Sequence, residues 1–270
     1  MEDGQATSKA NQIDQINLSR WMIKNKILRR LLSFRDEEIK NLEIVGKFNQ
    51  GQSNPTYLIR MKSIDTDSTF NAVLRRKPTS IAHPSAHALH REFQVLTALQ
   101  KHNDQNSNQQ IPIPYPYAYC EDKNIIGSEF YIMEFVSGRI FTDCSMPGMT
   151  KKNRRRAFED VMSVMANLHN VNIERIGLSA FGKGGKYIKR QLHRLMAISR
   201  RQAELSNTPA PQIEKIAKQL EQYAENCPNH HSILHGDLYV CLSDERPALP
   251  SIISLKVDYS QSSVCFYLVD

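Results

Sequence analysis

With 270 residues, 40% of them hydrophobic and 23% charged, the chain can bury a sizeable core in one domain or in two closely packed lobes. That composition excludes wholesale disorder, and no apolar run reaches the ~20 residues that a membrane helix needs. The net charge of +7 admits nucleic acid, anionic membranes or phosphate-rich ligands as partners.

In chain order, residues 1–19 are polar and are expected to fray. Trp21, Ile23, Ile27, Leu28, Leu31 and Leu32 recur at helical spacing and predict an amphipathic helix packed on its own domain. Strands are expected over 42–45, 56–61 and 70–75, with a polar turn over 46–55 and a polar hairpin loop over 62–69. Ala86, Leu89, Phe93, Leu96 and Leu99 form one apolar stripe, which predicts a helix over 85–101. The Asn- and Gln-rich stretch 102–110 reads as a flexible surface insertion, and the Pro-rich 111–116 as extended chain. A strong strand is expected over 130–136.

From 150 to 230 the pattern is helical. It opens on the basic cluster Lys151, Lys152, Arg154, Arg155 and Arg156. No nucleic-acid-binding motif accompanies that cluster, so it is read as solvated helix face and no nucleic-acid partner is expected. Val161, Met165 and Leu168 share one face, Ile188, Leu192, Leu195 and Met196 a second, and Ile213, Ile216, Leu220 and Tyr223 a third. The five cysteines, at 120, 144, 227, 241 and 265, form no CxxC pair. Reduced thiols imply an intracellular protein, cytoplasmic by default, with a mitochondrial or peroxisomal location left open.

Several stretches carry chemistry. The turn Phe48 to Asn54 lies between two strands and contains Gly51; such a turn lets backbone N–H groups approach phosphate oxygens, and is equally ordinary hairpin material. Arg75 ends the third strand and Glu92 lies on the next helix. A strand cation paired with a helix carboxylate is how kinases place nucleotide phosphates, but spacing alone leaves open whether the two side chains meet.

Taken in order, Gly51 to Tyr57, Val73 to Pro78, Arg91-Glu92-Phe93, Ile126 to Glu134, Gly138 to Phe141 and Leu234-His235-Gly236-Asp237 form a series. It resembles the aminoglycoside-phosphotransferase-like, or kinase-like, domain. The narrower likeness is to the domain that precedes the dehydrogenase module in acyl-CoA dehydrogenase family members ten and eleven. Pro84 to His87 and Tyr187 to Gln191 strengthen it. The resemblance covers roughly residues 40–237.

It implies an α+β, two-lobed protein-kinase-like fold. Residues 1–39 would form a tail and helix, 40–138 a first lobe with the nucleotide-binding sheet and hinge, and 139–270 a helical lobe. It also implies ATP-dependent phosphorylation of a small-molecule hydroxyl, with Mg²⁺ as cofactor. A hydroxyacyl-CoA or related hydroxy acid is the substrate that this lineage suggests, and an acyl-CoA dehydrogenase module is expected in the full-length relative. By position, Ser53 and Asn54 lie near the phosphates, Arg75 is the phosphate cation and Glu92 orients it. Met133, Glu134, Phe135 and Val136 form the adenine-touching hinge. Asp237 accepts the substrate proton.

Two departures bear on activity. The family has an Asn five positions after the catalytic Asp, where this chain has Leu242. The family's metal-binding Asp-Trp-Glu has at best a counterpart in Asp258-Tyr259-Ser260, and Asp258 is equally read as a chance Asp on a β-prone tail. After Tyr239 the sequence departs from the family, so the helical lobe is expected to be incomplete and transfer impaired. A non-catalytic nucleotide- or acyl-CoA-binding module, or a truncated form without function, is the alternative reading.

Overall fold

A computed structural model describes residues 13–27, 39–48, 54–63, 68–78, 89–137, 139–140, 145–181, 187–209, 211–224, 232–234, 241–242 and 267–269. The chain forms two compact units, Met1–Asn167 with His235–Cys265 and Leu168–Leu234 with Phe266–Asp270.

The first unit is built on a five-stranded antiparallel sheet. Its strands are β1 (Ile39–Lys47), β2 (Thr56–Ser63), β3 (Thr69–Arg76), β4 (Pro116–Cys120) and β5 (Phe130–Glu134), in the order β1-β2-β3-β5-β4. Ala72, Val73 and Leu74 are all buried, because the central β3 is covered on both faces. On one face Tyr57, Ile59, Leu74, Phe130 and Ile132 pack against Leu18 and Met22 of α1 (Gln15–Lys24). The Trp21 ring meets Phe130 edge-on, 4.9 Å between centroids. On the other face lies α2 (Leu89–Gln105), whose Phe93 stacks on Tyr119 and meets Tyr131 at a tilt.

Four sequence expectations need correction. Residues 15–19 are helical rather than frayed, since Asp14 caps α1 by accepting from the backbone N–H of Asn17 at 2.9 Å; a capped first turn no longer leaves all its amides unpaired. The buried stripe of α1 is Leu18 and Met22, while Ile23 is exposed, because the sheet chooses which face of the helix it covers. β1 runs on to Lys47, with register shifts against β2 between Ile44 and Gly46. Last, part of the Asn- and Gln-rich stretch is structural: α2 continues through it to Gln105.

That last point has a side-chain cause. Asn103 clamps the chain that follows, donating to the Ile111 carbonyl and accepting from the Ile111 N–H, both at 2.7 Å. The His102 ring meets the Gln109 carbonyl at 3.1 Å. Side-chain amides thus satisfy backbone groups at and beyond the helix end, and the Pro-rich segment is delivered to the edge strand β4, which the sequence reading did not foresee. Pro116 opens that strand, where its missing N–H costs no ladder bond. Asn103→Ala is expected to cost about 1–3 kcal/mol in urea unfolding, because both buried partners lose their bonds. An unchanged midpoint would show that the clamp is ornamental.

Also in the first unit are α3 (Lys123–Ile126), β6 (Arg139–Ile140), β8 (Cys241–Leu242) and all but the last two residues of α4 (Lys151–His169). β6 and β8 pair antiparallel, with Leu242 opposite Arg139. Ala157 and Val161 of α4 pack with Met146. Lys151, Lys152, Arg155 and Arg156 are exposed, and Arg155 pairs along the helix with Glu159 at 2.7 Å, so the cluster is a solvated face. The second unit holds the helices α5 (Tyr187–Ser206) and α6 (Pro211–Ala224), and β7 (Ser232–Leu234) antiparallel to β9 (Tyr267–Val269). No described helix is long and apolar enough to cross a membrane.

Candidate active site

The candidate site begins with strand register. Thr56 on β2 is opposite Arg75 on β3, Arg75 is opposite Tyr131 on β5, and Tyr131 is opposite Tyr119 on β4. Directly opposed residues project from the same face of a sheet. Four side chains therefore form one row beneath α2, and Glu92 descends from the first turn of that helix into it.

The Arg75 Nε lies 3.1 Å from Glu92 Oε1, with the two side chains 1% and 5% exposed. The two residues left unconnected by spacing do meet. The Tyr131 hydroxyl donates to the same Oε1 at 2.6 Å, and the Asn54 side-chain amide donates to Glu92 as well. Arg75 Nη1 donates to Thr56 Oγ1 at 3.4 Å, and that hydroxyl donates to the Asn54 carbonyl at 3.0 Å. Asn54, at the end of the Gly-containing turn, is thereby tied both to the helix and to the strand cation.

Burial pushes the Glu92 carboxyl above its ordinary value. Arg75, Tyr131 and Asn54 oppose that rise without cancelling it. The carboxylate is held by charge and two donors, yet in a setting where ionisation is costly. Such perturbed, partnered groups are common at functional sites and also in structural networks.

A second set of contacts braces the row. Lys77 Nζ lies 3.4 Å from Glu129 Oε1, and the Tyr119 hydroxyl donates to Glu129 Oε2 at 2.9 Å. Burial pushes Glu129 up, but Tyr119 and Lys77 outweigh it and hold the carboxyl below its usual value. Its contribution to stability is present above the ordinary carboxylate pKa and is lost as pH falls through the lowered one. Arg76, on the opposite face of β3, lies over the Tyr57 ring at 5.7 Å, a cation–π contact. A cavity of about 360 Å³ lies at the β4 edge, lined by Trp21, Phe93, Thr97 and Tyr119 among others. Its Thr97 hydroxyl is already donated to the Phe93 carbonyl at 2.9 Å.

Of the expected hinge, Met133 and Val136 are buried, and Glu134 exchanges hydrogen bonds with Tyr115, accepting through Oε2 at 3.1 Å and donating through its N–H at 2.9 Å. Met133 and Glu134 close β5, two residues earlier than expected, and Phe135 and Val136 follow it. Ser53, Asp237 and Asp258 lie outside the described residues. Tyr131 and Thr56 went unnoticed in the sequence. Pairing the expected strands would have found them, since both lie directly opposite Arg75.

The described residues contain no group of three His, Cys, Asp or Glu side chains that could hold a metal. Position 242 carries a Leu, whose side chain offers no oxygen to a Mg²⁺ ion.

A family model described as the phosphotransferase enzyme family matches residues 45–240. The chain belongs to that family. Acyl-CoA dehydrogenase family member 10 of Mus musculus is 36% identical over 191 residues, which are 71% of this chain and 16% of that protein. Across the first curated relatives this phosphotransferase-family chain spans 16 to 26% of their length. A candidate aminoglycoside phosphotransferase of Ralstonia eutropha superposes with a TM-score of 0.65 at 30% identity, over 93% of this chain and 67% of its own. Wild-type aminoglycoside 2'-phosphotransferase-IIIa superposes with a TM-score of 0.52 at 15% identity, over 92% of this chain and 73% of its own; that likeness concerns the fold alone. The fold is the kinase-like one of aminoglycoside phosphotransferases, an antiparallel sheet with helices.

Proposed function

We propose that this chain is a nucleotide-binding phosphotransferase-type domain descended from enzymes that phosphorylate a small-molecule hydroxyl with ATP. The observation that carries the reading is the buried Arg75–Glu92 pair, 3.1 Å apart, seated where strand, helix and turn converge. In this reading Glu92 positions Arg75 against the phosphates, Asn54 ties the turn to the helix, and Ser53 contributes from the turn itself. Met133 to Val136 border the adenine. Asp237 takes the proton of the substrate hydroxyl, whose oxygen attacks the terminal phosphorus as the bond to the bridging oxygen breaks and ADP leaves. The curated relatives are named as acyl-CoA dehydrogenase family members, which supports a hydroxyacyl-CoA acceptor and a dehydrogenase module in the full-length relative.

Leu242 favours a second reading of the same site, a module that binds nucleotide without transferring phosphate. Calorimetry with ATP tests what the two readings share. ATP is expected to bind. The paired variant Arg75→Met with Glu92→Gln is expected to fold, since both charges leave together, and to lose about tenfold or more in affinity, the worth of a charged hydrogen bond to phosphate. Arg75→Lys, which retains the charge, is expected to bind. Equal affinity in the uncharged double variant would remove Arg75 from the nucleotide site.

A further inference from the structure

One buried titratable side chain beside Arg75 has no part in the reading of that residue as the phosphate cation. Tyr131 is fully buried on β5 and directly opposite Arg75 on β3. Its hydroxyl donates to Glu92 Oε1 at 2.6 Å, and Arg75 Nε lies 3.1 Å from the same oxygen. A single carboxylate oxygen thus faces both the guanidinium and the phenol.

The hydroxyl bond is short. An O–H donor meets an ionised carboxylate at about 2.5–2.7 Å, and such bonds are roughly twice as strong as neutral ones. It can fix the carboxylate only if the phenol is itself held, and three things hold it. The strand β5 lies between β3 and β4 in the sheet. The Phe93 ring packs on the Tyr131 ring, 5.5 Å between centroids, and on the Tyr119 ring at 5.6 Å. The Tyr119 hydroxyl is fixed on Glu129 Oε2 at 2.9 Å, while the other oxygen of that carboxylate meets Lys77 Nζ at 3.4 Å.

Packing alone does not call for the hydroxyl. A Phe would fill the same place beside Phe93 without burying a polar group, which costs free energy unless the group is bonded. Glu92, in contrast, hangs from the first turn of α2 on a side chain with several rotatable bonds and needs to be aimed. Burial also favours its neutral form, and the Tyr131 hydroxyl is one of the groups that oppose this. A carboxyl rotated away, or neutral, would leave Arg75 without the counter-charge that holds it.

We propose that Tyr131 is a positioning residue for nucleotide phosphates: its hydroxyl fixes the Glu92 carboxylate, and the carboxylate in turn aims Arg75. The inference rests on the reading of Arg75 as the phosphate cation. Because Tyr131 acts only through Glu92 and Arg75, its effect falls on the phosphate part of a nucleotide and spares the base and ribose.

The test is calorimetry on the full 270-residue chain with ATP and with adenosine, which has no phosphate. Tyr131→Phe keeps the ring against Phe93 and removes only the oxygen. Its ATP affinity is expected to fall about threefold to tenfold, within the worth of one hydrogen bond, while adenosine affinity and far-UV circular dichroism stay as in the wild type. Added to the double variant Arg75→Met with Glu92→Gln, Tyr131→Phe is expected to change ATP affinity by less than about twofold, since no charged pair is left to aim. An equal loss in both backgrounds would overturn the inference, as would an equal loss for ATP and adenosine. A Tyr131→Phe chain that no longer folds would make the hydroxyl a stabilising group and overturn it too. Full ATP affinity in Tyr131→Phe, with affinity lost in the double variant, would refute the role of Tyr131 alone. Full affinity in the double variant would remove Arg75 from the site, and the role of Tyr131 with it.

Discussion

Glu92→Ala is expected to destabilise the first unit by about 3–5 kcal/mol, the usual cost of removing one partner from a buried ion pair. The substitution leaves the Arg75 guanidinium without its counter-charge at a site 1% exposed, and deprives the Tyr131 hydroxyl of its 2.6 Å acceptor. Glu92→Gln is expected to cost less than Glu92→Ala, because its amide oxygen still accepts from the Tyr131 hydroxyl, although Arg75 loses its counter-charge in both. The pH dependence separates charge from shape. Burial raises the Glu92 carboxyl, against Arg75, Tyr131 and Asn54. The folded state thus holds the proton to higher pH than the unfolded chain does. The stability this provides is complete below the ordinary carboxylate value of 4.5 and is lost as pH rises through the raised one. The wild-type chain should lose its advantage over Glu92→Gln across that interval in chemical denaturation. A constant difference between the two would mean that Glu92 is not raised, and equal stability of the Ala variant would mean that the pair contributes nothing.

The second large effect is on turnover. The chain is expected to transfer phosphate from ATP below about 10⁻² per second, against the ~1–100 per second of active kinases. The reason lies at position 242. A Leu there cannot replace the oxygen ligand that the family places five residues after its catalytic Asp, and Mg²⁺ accepts only oxygen ligands in near-octahedral geometry. Leu242→Asn alone is not expected to restore transfer, because Asp258-Tyr259-Ser260 is a poor counterpart of the family's second metal-binding segment. Asp237→Asn is expected to leave ATP affinity unchanged, since in the proposed reading Asp237 serves the acceptor hydroxyl and not the nucleotide. The measurement is ATP turnover with a panel of hydroxy acids and their CoA esters. Robust turnover that depends on Asp237 would show that Leu242 is compatible with catalysis and would sink the expectation.

Much of the first unit was readable from one dimension. Strands β2, β3 and β5 follow from short β-branched and aromatic runs bounded by polar turns, and burial on both faces merely intensifies that signal. The Arg75 and Glu92 positions were readable as types in a series of motifs, since that series constrains spacing. β4 was not readable: a five-residue strand entered through prolines has too little periodicity to announce itself, and it exists because β5 offers it an edge. The ordered end of α2 was hidden likewise. Asn and Gln suit loops by propensity, and only the proximity of Ile111 turns Asn103 into a clamp.

What the sequence determined by itself was therefore the local alphabet: where strands and helices form, which family motifs they carry, and where Leu242 breaks the pattern. Tertiary structure decided which side chains meet. Sheet register placed Thr56, Arg75 and Tyr131 in one row, although they are scattered along the chain, and the helix above it brought Glu92 into that row. The same limit holds for α5 and α6. Periodicity shows that a helix has an apolar face, but burial depends on whether another surface lies against it, and a repeat along one chain contains no information about what does.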